Sequence, residues 1–364
     1  VRRWQSELKA EILAPPNSSI LSSMLYEGLL CVKKYCLDEI NIQCLKVLWE
    51  NLLKKDIRFN FVGNDKKYAL ASLSKKYNMQ IADFKGFINF IKDIDPQDLI
   101  IDVRITPDKE FLVGNRSFIN EGSGERYSFQ IMKIDRYQGI TSMELNLINE
   151  QVTVYADISG LYMFFIGLLS SYITTIEKDY YFLFFDTGIL PFALENPKDW
   201  MDIKEEVAGE LKNVLNRIRS LNDEIITLSV LLNVFAVKSI KEQNLNYTSF
   251  RLVRISNEGN TYKVYDDIPL EVFVEQKIYK NEKMLESIQN IMEKLIDPVS
   301  RFMNGRDEKG DGYHAYLALK YLYSYVITGN GEHLQKFYRE LHEADKINPS
   351  QGYLRWASQK LIWK

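Results

Sequence analysis

The run from Ile158 to Ile176 constrains this chain most. Nineteen successive residues carry no Asp, Glu, Lys or Arg. A membrane span needs about 20 apolar residues, so the run nearly reaches that length. Ser170-Ser171 and Thr174-Thr175 dilute it, and no Lys/Arg cluster marks either end. A helix apolar on every side is then expected to be buried in protein. With 46% hydrophobic and 13% aromatic residues in 364, the chain has enough apolar side chain to cover such a helix. Wholesale disorder is excluded, and the length suggests about two domains.

Helical patterns come first along the chain. Ser18-Ser19 is placed to cap a helix through Leu21, Met24, Leu25, Leu29 and Val32. A second helix is expected through Ile42, Leu45, Leu48, Trp49 and Leu52, and a third from Asp83 to Ile94, stopped by Asp95-Pro96. Strand texture follows at Leu99 to Ile105, Tyr127 to Ile134, Gln151 to Ala156 and Tyr180 to Phe185. Asp199-Trp200 leads into a helical stripe, Ile203, Val207, Leu211, Val214, Leu215 and Ile218, and Glu224 to Val237 reads as another helix. Phe250 to Ile255 and Thr261 to Tyr265 flank the turn residues 256–260, a hairpin pattern. From Asn281 onward only helical stripes remain. The expected class is α+β: a mixed domain over 1–280 with an antiparallel β-containing middle, then a C-terminal helical bundle over 281–364.

Charge is uneven. The chain carries 46 Lys+Arg and 49 Asp+Glu, formally -3, which speaks against a uniformly basic nucleic-acid coat protein. Residues 1–95 hold 15 basic and 11 acidic residues, so this part is +4 and the remainder -7. The excess lies in Lys33-Lys34, Lys54-Lys55, Arg58, Lys66-Lys67 and Lys75-Lys76. Gathered on one surface, they would attract a phosphate backbone; dispersed, they are a solvated lysine surface. Tyr35, Phe59, Phe61, Tyr68 and Tyr77 interleave with them, either as stacking platforms or as core.

Catalytic signatures are sparse. His314, His333 and His342 make no His-Asp doublet and no pair four residues apart, so they read as surface histidines. Cys31, Cys36 and Cys44 lack CxxC spacing and are expected to behave as small buried hydrophobes. No GxxxxGK[ST] phosphate loop occurs, and Gly122-Ser123-Gly124 is not a GxSxG elbow. Neither a metal nor an organic cofactor is expected. Three cysteines cannot build a disulfide framework, and Val1-Arg2-Arg3-Trp4-Gln5 lacks the apolar run of a secretory signal, so a reducing, cytoplasmic setting is expected.

One segment stands out. Gly114 to Arg126 combines glycines with Asn115, Arg116, Ser117, Asn120, Ser123 and Arg126. Arg can pair bidentately with guanine, and Asn with adenine. A loop fixed by flanking strands would suit a groove probe, although polar residues are also the norm in loops.

Residues Gly160 to Thr175 followed by Tyr181 to Asp186, the Gly114-Asn115-Arg116-Ser117 and Ser123-Gly124-Glu125 stretches, and the tail at His314 to Tyr323 resemble the archaeal large subunit of the type I-A CRISPR interference complex. The likeness in length and order spans most of the chain. It implies a non-catalytic subunit that probes double-stranded DNA for the protospacer-adjacent motif, helps open the duplex and helps recruit helicase and nuclease subunits. Its implied partners are target DNA and a guide-RNA complex with a handle-binding subunit, backbone subunits and a small subunit, with no membrane. Protein reads the flanking motif, and base pairing reads the rest.

Residue chemistry supplies the site candidates: Asn115, Arg116, Asn120 and Ser123 as groove readers, and Lys54, Lys55, Arg58, Lys66 and Lys67 as phosphate contacts. The competing readings are a metal-dependent nuclease with a cryptic site, a scaffold subunit without nucleic-acid contact, and a membrane protein using Ile158 to Ile176.

Overall fold

A computed structural model describes residues 8–358 apart from 37–39, 97, 109, 122–123, 138–152, 220, 244 and 275–276. The architecture is α+β. Its two compact units are Val1–Met201 with Arg251–Asp267, and Asp202–Phe250 with Ile268–Lys364. The units thus divide elsewhere than at residue 280.

The first unit begins with strand β1 (Ala10–Ile12) and helices α1 (Ile20–Tyr35) and α2 (Ile42–Leu52). A π-helical turn, Asp65–Leu70, runs into α3 (Ala71–Tyr77), followed by α4 (Phe84–Lys92). Strands β2 (Leu99–Ile105) and β3 (Glu110–Gly114) precede the short helix α5 (Arg116–Glu121). A 3-10 helix, Gln130–Tyr137, comes before β4 (Thr153–Ala156). Then come α6 (Ile158–Ser171), β5 (Tyr172–Ile176), β6 (Asp179–Phe185) and α7 (Leu190–Glu195).

The apolar run is therefore shared between a helix and a strand. Asp157 caps α6 through an N–H from Gly160, and every residue from Ser159 to Ser171 is buried. The helix ends where Tyr172 turns extended, because Ile173, Thr174, Thr175 and Ile176 are β-branched. Among the described residues no helix is long and apolar enough to cross a membrane.

Helix α1 packs along α6. Its N-terminus is held twice over. Ser19 accepts from the Ser22 N–H, and the Asp135 carboxylate accepts from the N–H groups of Ile20 and Leu21 at 2.8 and 3.0 Å. This explains why Tyr127 to Ile134 is not a strand. Tyr127 makes one antiparallel bridge with Ala156, and the chain then coils into the 3-10 helix that delivers Asp135.

Two four-stranded sheets form, in orders β1-β2-β3-β4 and β5-β6-β7-β8. Strands β7 (Tyr247–Asn257) and β8 (Tyr262–Phe273) are joined by four residues, a hairpin at the expected place but longer at both ends. The pairs β2–β3 and β5–β6 are antiparallel, whereas β1–β2 and β3–β4 are parallel. Phe59, Phe61, Phe84, Phe87, Phe129 and Phe165 form an aromatic core, with Phe87 and Phe165 centroids 4.5 Å apart. Phe59 and Phe61 are thus core residues and not base-stacking platforms.

Helix α8 (Pro197–Ile218) continues into the second unit, which holds α9 (Asp223–Leu231), α10 (Val234–Glu242), α11 (Glu282–Met303), α12 (Asp311–Thr328), α13 (Gly331–Ile347) and α14 (Tyr353–Ser358). The expected helix from Glu224 to Val237 breaks in two, because Asn233 caps α10 by accepting from the Ala236 N–H. The tail helices do not stand alone. Lys320 pairs with Glu224 and Arg217 hydrogen-bonds Asp297, tying α12 to α9 and α11 to α8.

The cysteine expectation is corrected. Cys36 and Cys44 form a disulfide with Cα atoms 5.5 Å apart, joining the end of α1 to the start of α2, and Cys31 is buried as a free thiol. The sulfurs, eight residues apart in sequence, meet where α1 and α2 pack against each other. The surface assignment holds for His342, which is exposed, and changes for the other two histidines. His314 Nδ1 lies 2.8 Å from the buried carboxylate of Glu340, and His333 Nδ1 is itself buried.

Candidate functional site

Parallel strands β3 and β4 each run directly into a helix, α5 and α6. One carboxylate ties the two junctions together. Asp157 Oδ1 accepts from the Gly160 N–H at 2.8 Å and Oδ2 accepts from the Asn115 N–H at 3.0 Å. Burial pushes this carboxyl above its ordinary range, against the lowering from those two N–H groups. Gly114 is required here, since a Cβ would overlap the Asp157 carboxyl group.

The stretch read as a loop is therefore a strand-to-helix junction. Asn115 spends its side-chain oxygen on the start of α5, accepting from the Phe118 N–H at 3.0 Å and the Ser117 hydroxyl at 2.7 Å. That is a capping role, and it withdraws the acceptor from any base edge. Phe118 and Ile119 are buried, whereas Arg116, Ser117 and Asn120 are exposed. Ser123 lies outside the described residues.

These junctions form one wall of a cleft of about 650 Å³. Glu11, Asp95 and Asp98 supply carboxylates to its lining and Arg116 a guanidinium. Leu13, Ile94, Pro96, Ile100 and Ile158 give it apolar surface. Tyr162 is held by the indole N–H of Trp49, which donates to its hydroxyl at 2.8 Å. Burial pushes the Tyr162 hydroxyl up to about 12; the Trp49 bond opposes this and the Asp95 charge adds to it. Ser159 also lines the cleft. It is 8% exposed, and its hydroxyl meets no hydrogen-bond partner among the described residues.

The basic candidates lie elsewhere and divide by role. Lys55 donates to the carbonyls of Leu169 and Ser170 at 3.2 and 2.9 Å, so it closes the C-terminus of α6 and is a structural cation. Lys54 donates to Asn51, and Arg58 pairs with Asp56 at 2.8 Å, both on exposed surface. Lys66 and Lys67 are exposed on the π-helical turn. Lys67 stands 5.0 Å from the ring centre of Tyr68, which is 61% exposed. Asn115 and Lys55 mark opposite ends of the 14-residue α6, about 20 Å apart at 1.5 Å per residue. The structure therefore does not bring Asn115 and Lys55 into one cluster.

Glu11, Asp95, Asp98, Ser159 and Tyr162 escaped sequence reasoning. The Asp95-Pro96 helix stop gave a weak signal, and Ser159 was masked by the apolar run around it. A second cavity of about 220 Å³ lies where Asp135 meets α1, with Leu25, Val103, Phe111 and Met132 among its mostly apolar lining. Among the described residues no group of His, Cys, Asp or Glu is arranged to hold a metal ion.

A protein of Archaeoglobus fulgidus, described only as uncharacterized, is 25% identical to the chain over 370 residues, covering 93% of each. No protein-family profile matches, and no solved structure matches.

Proposed function

We propose that this chain is a non-catalytic, DNA-recognising large subunit of a type I-A CRISPR interference complex, acting in the cytoplasm. The observation that carries the reading is the surface at Lys66, Lys67 and Tyr68, where two exposed lysines precede an exposed tyrosine on one helical turn and Lys67 stands over its ring. Exposed cations beside an exposed aromatic ring are what a nucleic-acid backbone and its unstacked bases recognise. Arg58 and Lys54 extend the basic surface along the chain, and Arg116 and Asn120 remain exposed as base-edge candidates. A match over nearly the full length of an archaeal protein agrees with the archaeal character of the resemblance.

In this role the protein reads a short flanking motif, while guide RNA reads the remaining sequence and partner subunits cut. The test is reconstitution with guide RNA and the neighbouring subunits, followed by duplex binding with and without the flanking motif. The reading requires that omission of this chain abolish the preference for motif-bearing DNA. Full preference without the chain would make it a scaffold. DNA cleavage by the isolated chain with Mg²⁺ or Mn²⁺ would make it a nuclease.

A further inference from the structure

In contrast to the exposed lysines, the cleft at the β3–α5 and β4–α6 junctions is mainly acidic. Its lining carries the carboxylates of Glu11, Asp95 and Asp98 against the single guanidinium of Arg116. None of these four makes an ion pair among the described residues; Asp98 only accepts the Lys9 N–H at 3.2 Å. A site with this balance concentrates cations.

Two further observations narrow the ligand. Ser159 lines this cleft from a nearly buried position and its hydroxyl meets no hydrogen-bond partner among the described residues, whereas a nearly buried hydroxyl is ordinarily hydrogen-bonded. The three carboxylates also do not converge as a metal-holding group. They share the lining with Leu13, Ile94, Pro96, Ile100 and Ile158. Anions that do not converge on one point, in a cleft that also carries aliphatic surface, match the several ammonium groups and methylenes of an aliphatic amine chain. The volume of about 650 Å³ is in the range of small-molecule sites.

We propose that this cleft binds an aliphatic oligoamine, with its ammonium groups on Glu11, Asp95 and Asp98, its methylenes on the apolar lining, and one N–H on the Ser159 hydroxyl. The inference does not depend on the DNA-reading role. It rests on the cleft alone.

The test is calorimetric titration of the full chain with spermidine. Saturable binding is expected, weakening as salt is raised. Asp95→Asn with Asp98→Asn should raise the dissociation constant roughly 10- to 100-fold, as for lost charge-assisted hydrogen bonds. Glu11→Gln, on an exposed strand position, should weaken binding in the same direction, and Ser159→Ala by several-fold. A charge-matched control, Asp108→Asn with Glu271→Gln, should leave it unchanged. Circular dichroism of each variant separates lost binding from lost folding. The proposal is overturned by absence of spermidine binding, by equal loss in the control, or by Mg²⁺ displacing spermidine at matched concentration. Binding of a lysine-bearing peptide where spermidine fails would also overturn it and mark the cleft as a protein-docking site.

Discussion

Gly167 on α6 lies directly against the carbonyl oxygen of Met24 on α1, so closely that a Cβ at that position would stand well under 3.0 Å from it. Gly28 repeats the arrangement from the other helix, against the carbonyl of Met163. The two most buried helices of the first unit thus meet backbone to backbone. Such an approach is available only to glycine, because any side chain would force the axes apart.

Gly167→Ala should therefore act far beyond its helix propensity, which alone would favour alanine. Forcing atoms into a packed core costs about 1–3 kcal/mol or more, and here the obstacle is backbone that cannot swing aside. Chemical denaturation should show a lowered midpoint. An unchanged midpoint would mean that α1 and α6 do not pack as described.

Asp157→Ala removes the cap of α6 and the acceptor of the Asn115 N–H together. Loss of a cap costs about 0.5–2 kcal/mol, and a buried unsatisfied donor about 1–3 kcal/mol. Asp157→Asn keeps an acceptor oxygen and should recover part of the loss. Thermal melts of the two variants would rank them.

Asp65 sets a pH dependence. Burial raises its carboxyl from the ordinary 3.8 to about 6, against lowering from the Gln130 N–H, the Lys133 charge and the Val62 backbone. Its Oδ1 accepts the Gln130 N–H at 2.7 Å, while Oδ2 is buried without a partner. Between these two values the folded state holds a proton that the unfolded state has released. Stability from this group is full below pH 3.8 and falls as pH rises through about 6, a change on the order of 3 kcal/mol. Asp65→Asn keeps the acceptor and removes the charge, so its denaturation midpoint should no longer fall across that window.

Reduction of the Cys36–Cys44 bond should destabilise the protein. Closing so short a loop is worth about 2–3 kcal/mol on chain-entropy grounds. Cys36→Ser with Cys44→Ser should match the reduced wild type and become insensitive to dithiothreitol. A difference between wild type and variant that persists under reducing conditions would contradict this.

Nucleic-acid binding separates the basic residues. Lys66→Ala and Lys67→Ala should each flatten the log-log salt dependence of duplex binding by about 0.9. Arg116→Ala should cost about 1–3 kcal/mol of motif discrimination with little change in slope. Lys55→Ala should instead lower stability, because Lys55 closes α6, and Asn115→Ala should do so through the lost cap of α5. Salt-dependent binding of the assembled complex, read beside denaturation of the isolated chain, distinguishes these outcomes.

Much of the fold is legible in the chain itself. The stripes at Leu21 to Val32, Ile203 to Ile218 and Met284 to Leu295, the β2 and β6 strands and the β7–β8 hairpin follow from local periodicity and turn chemistry. These patterns are short-range: the side chains that must be buried repeat every two or 3.6 residues whatever they pack against. The strand expected at Tyr127 to Ile134 failed because Asp135 is drawn to the start of α1, a contact spanning 115 residues.

The site was less legible for the same reason. Its candidate groove reader, Asn115, is committed to a cap, and Lys55 is committed to the carbonyls of Leu169 and Ser170. The cleft is assembled from Glu11 on β1, Asp95 and Asp98 in the connection between α4 and β2, and Ser159 on α6, three segments far apart in the chain. Local pattern determined which residues form helices and strands. Only tertiary packing decided which polar groups are consumed in holding those elements and which are left facing a cavity, because partnership between distant residues has no period to read.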